Sequence, residues 1–298
     1  MNSTSLVSVA IITYNQKNFL QEAVESVLEQ DYRPIEIVIG DDCSTDGTQE
    51  LMLDYQKKYP RVFILKFAVK NGGNTANANA VHFACTGKYI AWLGGDDIML
   101  PNKLSEQVLF LESHPDHNIV YHNLDVFDSN SNKHLRFYNG KRDKHIGDVR
   151  KLIKYGTFNG ACATMVRRST SPLHGHYSEL LISADWLYWI EHLIPSGKIG
   201  YMDKVLGRYR RHDNNVSNPS GIFIQQAEND VTGSINILLQ KYPHYKKEIY
   251  YRASEIYRAR RRYGYKNNLQ KSLQYNPFNL FTWIIYSAYI FTFKKIKL

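Results

Sequence analysis

The first hundred residues alternate between short apolar runs and stretches whose apolar positions recur every three or four residues. Residues 7–12, Val-Ser-Val-Ala-Ile-Ile, read as a buried strand. Phe19, Leu20, Ala23, Val24, Val27 and Leu28 then fall on one face of a helix. A strand at 35–39 follows Pro34, a helix at 48–59 is stopped by Pro60, and 62–67 is a third strand. A helix over 75–86 and a strand over 89–93 complete a βαβαβαβ alternation. Parallel strands need long crossovers, so this α/β pattern predicts a mainly parallel sheet flanked by helices on both faces.

Further along, Pro101 opens a helix to about residue 113, and 118–127 reads as a strand. Residues 128–147 are polar and aperiodic, which predicts a mobile loop. A strand at 162–167 and an amphipathic helix at 184–193 follow, and beyond Pro219 the pattern is helical with no further strand. The expected division is an α/β domain over 1–218 and a helical extension over 219–298.

Composition narrows the picture. The 298 residues are 43% hydrophobic and 22% charged, enough to bury a substantial core. Three cysteines at wide spacing (Cys43, Cys85, Cys162) argue against a disulfide framework or a zinc site. The N-terminus has no basic leader, and its apolar stretch is too short for a signal peptide. A cytoplasmic location is therefore expected. Net charge is +9 overall, but from Lys241 onward 13 Lys and Arg face two Glu, a net +11, leaving about −2 for residues 1–240. A near-neutral domain with a basic tail is not the charge distribution of a whole-surface nucleic-acid binder.

The chemistry gathers at strand ends. The strand at 35–39 runs into Gly40-Asp41-Asp42-Cys43-Ser44-Thr45-Asp46-Gly47-Thr48, and the first strand ends in Thr13-Tyr14-Asn15. In open α/β sheets, ligands occupy the crevice beyond the carboxyl ends of the strands. There Tyr14 can stack on a base, and Asn15 can fix the turn or bond a ligand. Asp42 can accept from a uracil N–H or a ribose hydroxyl. Singly, each is also ordinary turn or capping chemistry. Asn71-Gly72-Gly73, then Asn79 and Gly87-Lys88-Tyr89, form a third element, and the strand Ala91-Trp92-Leu93-Gly94-Gly95-Asp96-Asp97 a fourth.

In this order and spacing, the motifs resemble family 2 glycosyltransferases, strongly over 6–107 and moderately over 150–217. The resemblance implies the GT-A fold, with a donor half over about 1–110 and an acceptor half over about 111–218. It implies inverting transfer from a nucleotide-sugar, with Thr13, Tyr14, Asn15, Asp42, Asn79, Asp97 and Arg210 on the donor nucleotide. In the family the fourth motif is usually Asp-x-Asp-Asp and holds a divalent cation on the donor diphosphate. Two phosphates beside two carboxylates would repel without a hard cation, and oxygen ligands select Mg²⁺ or Mn²⁺. Here Gly94 replaces the first Asp, leaving Asp96 as metal ligand and Asp97 as a second ligand or ribose contact. The general base is implied at Asp185, in Ser183-Ala184-Asp185-Trp186-Leu187-Tyr188-Trp189, where Ala184 replaces a commoner acid. Its place in a first helical turn favours the ionised form. Arg208-Tyr209-Arg210-Arg211-His212, followed by Ser217, resembles the segment that closes the donor pocket. Arg210 or His212 would hold the diphosphate or complete the metal shell; a basic surface loop is the other reading. His82, His114, His117, His122, His174 and His176 show no ligand spacing and read as packing or surface residues.

In the tail, Lys246, Lys247, Arg252, Arg258 and Arg260–Arg262 alternate with tyrosines, and residues 272–293 carry no charge. The uncharged run contains Trp283 and many Phe and Tyr, and Lys294, Lys295 and Lys297 follow it. A helix lying on the cytoplasmic face of a membrane is expected, ahead of a spanning helix, a packed helix or an RNA-binding tail. The expected activity is transfer of a sugar from a UDP-sugar to a glycan or polyprenyl-diphosphate-linked acceptor in surface polysaccharide assembly. A silent sugar-nucleotide binder and a nucleotidyltransferase are the alternatives; the latter lacks its basic glycine-rich loop at 15–18.

Overall fold

The computed structural model of the chain describes residues 4–140, 145–158, 160–182, 184–194, 196–213, 215, 221–260 and 265–293. Of the positions discussed above, Ser183, Ser217, Pro219, Arg261, Arg262, Lys294, Lys295 and Lys297 lie outside the described residues. The chain divides into two compact units, residues 1–149 with 157–231, and residues 150–156 with 232–298.

The first unit opens with the expected alternation: β1 (Val7–Thr13), α1 (Lys17–Leu28), β2 (Ile35–Asp41), α2 (Thr48–Lys58), β3 (Phe63–Phe67), α3 (Asn74–Ala84) and β4 (Tyr89–Gly94). These four strands are parallel, in the order β3-β2-β1-β4. β1 and β2 are buried almost throughout, as their β-branched runs require of a sheet covered on both faces. Each fully buried Val, Ile or Leu there is worth about 1.5–3 kcal/mol over an exposed one. Leu20, Ala23, Val24 and Val27 form the buried face of α1.

The remaining elements before the helical end are β5 (Ile98–Met99), α4 (Lys103–Ser113), β6 (His117–Asp128), β7 (His134–Phe137), α5 (Val149–Tyr155, which but for Val149 belongs to the second unit), β8 (Thr164–Arg167), α6 (Asp185–Leu193) and β9 (Lys198–Arg211). The strands among them extend one mixed sheet in the order β3-β2-β1-β4-β8-β6-β9-β5, with β7 paired to β6. β8 is antiparallel to both β4 and β6, whereas β9 runs parallel to β6. The sheet is thus parallel in its first half and mixed in its second.

One expectation is corrected and one strand is new. The segment at 128–147 contains β7, an exposed strand antiparallel to β6. The fourteen-residue β9, unforeseen in the sequence, pairs along nearly the whole of β6.

The second unit contains α8 (Lys246–Ala259), α9 (Tyr265–Tyr275) and α10 (Leu280–Phe293); α7 (Gly221–Lys241) crosses the division. Its interior holds hydroxyls that satisfy one another: Ser254 to Ser272 and Ser272 to Thr282, both at 3.0 Å. Asn279 Nδ2 donates to Ser254 Oγ at 3.1 Å. Phe278, Leu280, Phe281 and Ile284 stay more than half exposed. No helix among the described residues is long and apolar enough to cross a membrane.

Candidate active site

The carboxyl ends of β1, β2 and β4 lie level, since Thr13 pairs with Asp41 and Ile12 with Gly94. The two acids ending β2 face different tasks. Asp41 accepts from the Ser44 N–H at 2.9 Å, from Gln49 Nε2 at 2.6 Å and from the Ser44 hydroxyl, so it builds its own turn. Asp42 reaches across the crevice, where the Gly72 and Gly73 N–H groups donate to its two oxygens at 2.7 and 2.8 Å. Gly73 sits at φ 83°, a backbone setting that favours glycine. The glycine loop leading into α3 is thus anchored to β2 by a buried carboxylate.

Asn15, at φ 51°, donates its N–H to Ser44 Oγ at 2.7 Å and accepts from the Thr45 N–H at 2.8 Å. It fixes the turn, one of its two expected roles. Beside it Tyr14 is 47% exposed, while Thr13 is buried against Gln16.

Sequence reasoning missed Asn77. Its Nδ2 donates to the carbonyls of Thr13 and Gly40 at 3.1 and 2.9 Å, stitching β1 to β2. A Cβ on Gly40 would lie 2.2 Å from Asn77 Oδ1, so a glycine is needed there. Asn79, two residues on, faces elsewhere: its amide exchanges bonds of 3.0 and 2.7 Å with the main chain of His176. Asn79 fastens the segment before α6 rather than reaching the strand ends.

Past β4, Asp96 Oδ2 lies 2.9 Å from His212 Nε2 and accepts from Asn215 Nδ2 at 3.2 Å. Arg210 lies between Phe19 and Phe127, its guanidinium 4.7 and 4.8 Å from their ring centres. Its Nε donates to the Asp96 carbonyl at 2.8 Å, and its Nη2 pairs with Glu22 at 2.5 Å. Arg210 is 4% exposed, so it supports the Asp96 backbone from beneath.

Asp97 turns inward. It accepts the Arg210 N–H at 3.0 Å, and burial, with the Asp96 charge second, pushes its carboxyl well above the usual range. Asp97, expected at the ribose or the metal, is 4% exposed here and braces β9. Near it Lys103 is wholly buried, and burial pushes its ammonium down to about 8. The Gly94 departure also gains a reason. A Cβ there would lie 2.7 Å from Asp96 Oδ1 and 3.0 Å from Asp97 Oδ2, because both carboxylates fold back over the glycine.

Asp185 is the first residue of α6. Burial pushes its carboxyl up to about 6, outweighing its hydrogen bonds to the backbone N–H groups of Trp186 and itself. The helix dipole was expected to favour ionisation; desolvation prevails. The chain leading to it is held from two sides. The Thr75 hydroxyl donates to the Leu180 carbonyl, and the Leu181 and Ile182 N–H groups donate to Asp230 at 3.3 and 2.7 Å. Behind Asp185, Tyr188 stacks on His176 with ring centres 4.0 Å apart and lies 3.0 Å from His82 Nδ1. Burial lowers His82 to about 4 and His176 to about 3, and holds His192 well below 6.5.

No three His, Cys, Asp or Glu side chains among the described residues converge as a cation cage. Asp96 and His212 nevertheless offer one oxygen and one nitrogen, with side chains 17% and 10% exposed. The carboxylate suits Mg²⁺ or Mn²⁺ with substrate phosphates completing the shell, and the imidazole nitrogen favours the transition metal of the two.

Residues 8–172, more than half of the chain, match the family described as Glycosyl transferase family 2. The chain belongs to that family. Among its relatives, the uncharacterized protein Mb1547 of Mycobacterium bovis is 28% identical over 214 residues. That match covers 70% of this chain and 60% of Mb1547, so the chain spans under two thirds of that relative's length. A Bacillus subtilis glycosyltransferase named for teichuronic acid biosynthesis, TuaG, is 36% identical over 110 residues, 37% of this chain and 43% of its own. The crystal structure of S. aureus TarS 1–349 in complex with UDP superposes with a TM-score of 0.65 at 18% identity. It covers 91% of this chain and 81% of that one, a likeness of fold.

Proposed function

We propose that the protein transfers a sugar with inversion from a UDP-sugar to a glycan or lipid-linked oligosaccharide acceptor in surface polysaccharide assembly. The observation that carries this reading is the return of β9 onto the strand ends, which brings His212 to 2.9 Å from Asp96. Family membership, the TuaG name and the UDP held by TarS agree with it.

In this reading the nucleoside lies over Tyr14 and against Asp42, with Thr13 and Asn15 shaping the turn. Asp96 and His212 would hold a divalent cation, which would supply charge neutralisation for the departing diphosphate. Arg210 keeps Asp96 in place, Asp97 braces Arg210, and Asn79 fastens the segment that carries the base. Asp185 takes the proton of the acceptor hydroxyl as that oxygen bonds the anomeric carbon and the diphosphate leaves from the opposite face. Its carboxyl, pushed up to about 6, is basic enough to accept that proton and still ionised at neutral pH. The exposed Phe278, Leu280, Phe281 and Trp283 of the basic tail would seat that segment on an anionic membrane surface, keeping enzyme and lipid-linked acceptor together.

The test is nucleoside diphosphate release from a panel of nucleotide sugars, with Mn²⁺, Mg²⁺ or EDTA. Metal-dependent UDP release from one donor is expected. Silence on every donor, with no UDP binding by calorimetry, would leave the fold without the activity.

A further inference from the structure

Residues 171–182 form no helix or strand, yet they lead into α6 and Asp185. A segment without a ladder of its own must satisfy its backbone elsewhere. Two helices do this. From α3, Asn79 exchanges bonds with the main chain of His176, and the Thr75 hydroxyl donates to the Leu180 carbonyl. Thr75 and Asn79 stand four apart, so one face of α3 serves both. From α7, Asp230 accepts the N–H groups of Leu181 and Ile182 at 3.3 and 2.7 Å, one on each carboxylate oxygen.

Asp230 is 1% exposed in the middle of a long helix, where a carboxylate is costly unless it is hydrogen-bonded. Gln226, one turn earlier, donates its Nε2 to Asp230 Oδ1 at 2.8 Å and orients the group. Hydrogen bonds to a charged acceptor are about twice as strong as neutral ones. The chain is thus gripped at three consecutive residues, 180 from α3 and 181 and 182 from α7, just before Asp185. Such precision matters to a general base, which must lie within hydrogen-bond reach of its proton. A misplacement of about 1 Å can cost about 10²-fold in rate.

We propose that Asp230 and Thr75 form a clamp that positions Asp185 for the transfer step. The proposal rests on reading Asp185 as the general base. Both clamp residues act through the segment they hold and touch no reacting atom.

The test uses the full chain. Asp230→Asn keeps the size and one acceptor oxygen but sets an NH₂ group against a backbone N–H. Thr75→Val keeps the size and removes only the hydroxyl. Each should lower the transfer rate about tenfold or more, while UDP affinity by calorimetry and the KM for nucleotide sugar stay within about twofold. In an Asp185→Asn background the same changes should cost less than about twofold, because the group they act through is gone. A second readout needs no turnover: the Asp185 carboxyl followed by carbon-13 NMR across pH. Burial holds it up to about 6 in the wild type. A loosened segment admits water, so the midpoint should fall by about 0.5 pH unit or more in both variants. A fall in Asp230→Asn alone marks a through-space charge effect and overturns the clamp. So does an unchanged midpoint in both variants, or a rate loss that persists in full without Asp185. If Asp230→Asn does not fold, Thr75→Val decides by the same readouts. A protein that releases no nucleoside diphosphate from any donor sinks the transferase reading, while the carboxyl midpoint still decides whether the clamp sets the surroundings of Asp185.

Discussion

The two sides of the central sheet solve binding in opposite ways. On the parallel side, nearly every polar group at the strand ends already has a protein partner: Asp41 its turn, Asp42 the glycine loop, Asn77 two carbonyls, Arg210 Glu22. On the mixed side, the Tyr138 and Tyr209 rings meet edge to face with Arg136 beside them, and β7 is exposed along its whole length. A site whose loops are held before the ligand arrives loses less entropy on binding, which suits one invariant nucleotide. Walls made of side chains can change by single substitutions without disturbing any loop, which suits an acceptor that varies. If this contrast is right, substitutions on the two sides should fail differently.

The largest effect is expected where the sides meet. Asp185→Asn should lower the transfer rate by about 10²–10⁴-fold, the usual worth of a positioned general base. UDP affinity measured by calorimetry should stay within about twofold, because that site lies on the parallel side; a lost UDP complex, or retained turnover, would remove Asp185 from the base role. With its carboxyl at about 6, the wild-type rate should fall tenfold per pH unit below that value. The same shift has a stability consequence. A carboxyl raised above its unfolded value near 3.8 weakens the fold progressively as pH rises from that value to about 6, and the full penalty is present above it. Asp185→Asn should therefore melt no lower than wild type at pH 7.5, and up to a few degrees higher.

On the parallel side, Asp96→Ala and His212→Ala should each weaken metal-dependent UDP binding at least tenfold, with little left for EDTA to remove. Unchanged metal dependence in both would take the pair off the ligand list. Gly94→Asp sharpens the point, because it restores the family's usual acid. Its Cβ must lie 2.7 Å from Asp96 Oδ1, so Asp96 has to leave its place beside His212. Gly94→Asp should thus bind UDP more weakly than wild type and lose about 1–3 kcal/mol of stability, the common penalty of overpacking. Tighter binding would mean the glycine is a true gap in the metal site.

The same contrast decided what the sequence could reveal. The donor side is written in contiguous motifs, because a strand end and its turn are local: Thr13-Tyr14-Asn15, Gly40-Asp41-Asp42 and Gly94-Gly95-Asp96-Asp97 each carry their geometry within a few residues. What those motifs hid was orientation. Asp96 and Asp97 are neighbours, yet one faces the crevice and the other the core, and only the arrival of Arg210 from β9 explains why. β9 escaped notice because Arg208 and Arg210 sit where the strand pattern calls for apolar residues; Asp125 and Glu22, far away in sequence, make that tolerable. β7 escaped because its four residues are all exposed and carry no alternation.

The smallest effect concerns the seam behind Asp185, where α3 of the parallel side meets α6. His82, His176 and His192 surround Tyr188 there, and burial keeps all three below their ordinary value near 6.5. In the unfolded chain they take up protons from about pH 6.5 downward, whereas in the fold His82 waits until about 4 and His176 until about 3. Between those limits the unfolded state binds more protons, so stability is full above pH 6.5 and drains as the pH falls. Asp185 works the other way below pH 6, but it is one group against three. Melting temperature should therefore drop by several degrees between pH 7 and pH 5. His176→Phe keeps a ring to stack on Tyr188 and removes one titrating group, so it should flatten that slope by a few degrees at most. A slope identical to wild type would mean that acid opens the protein somewhere other than this seam.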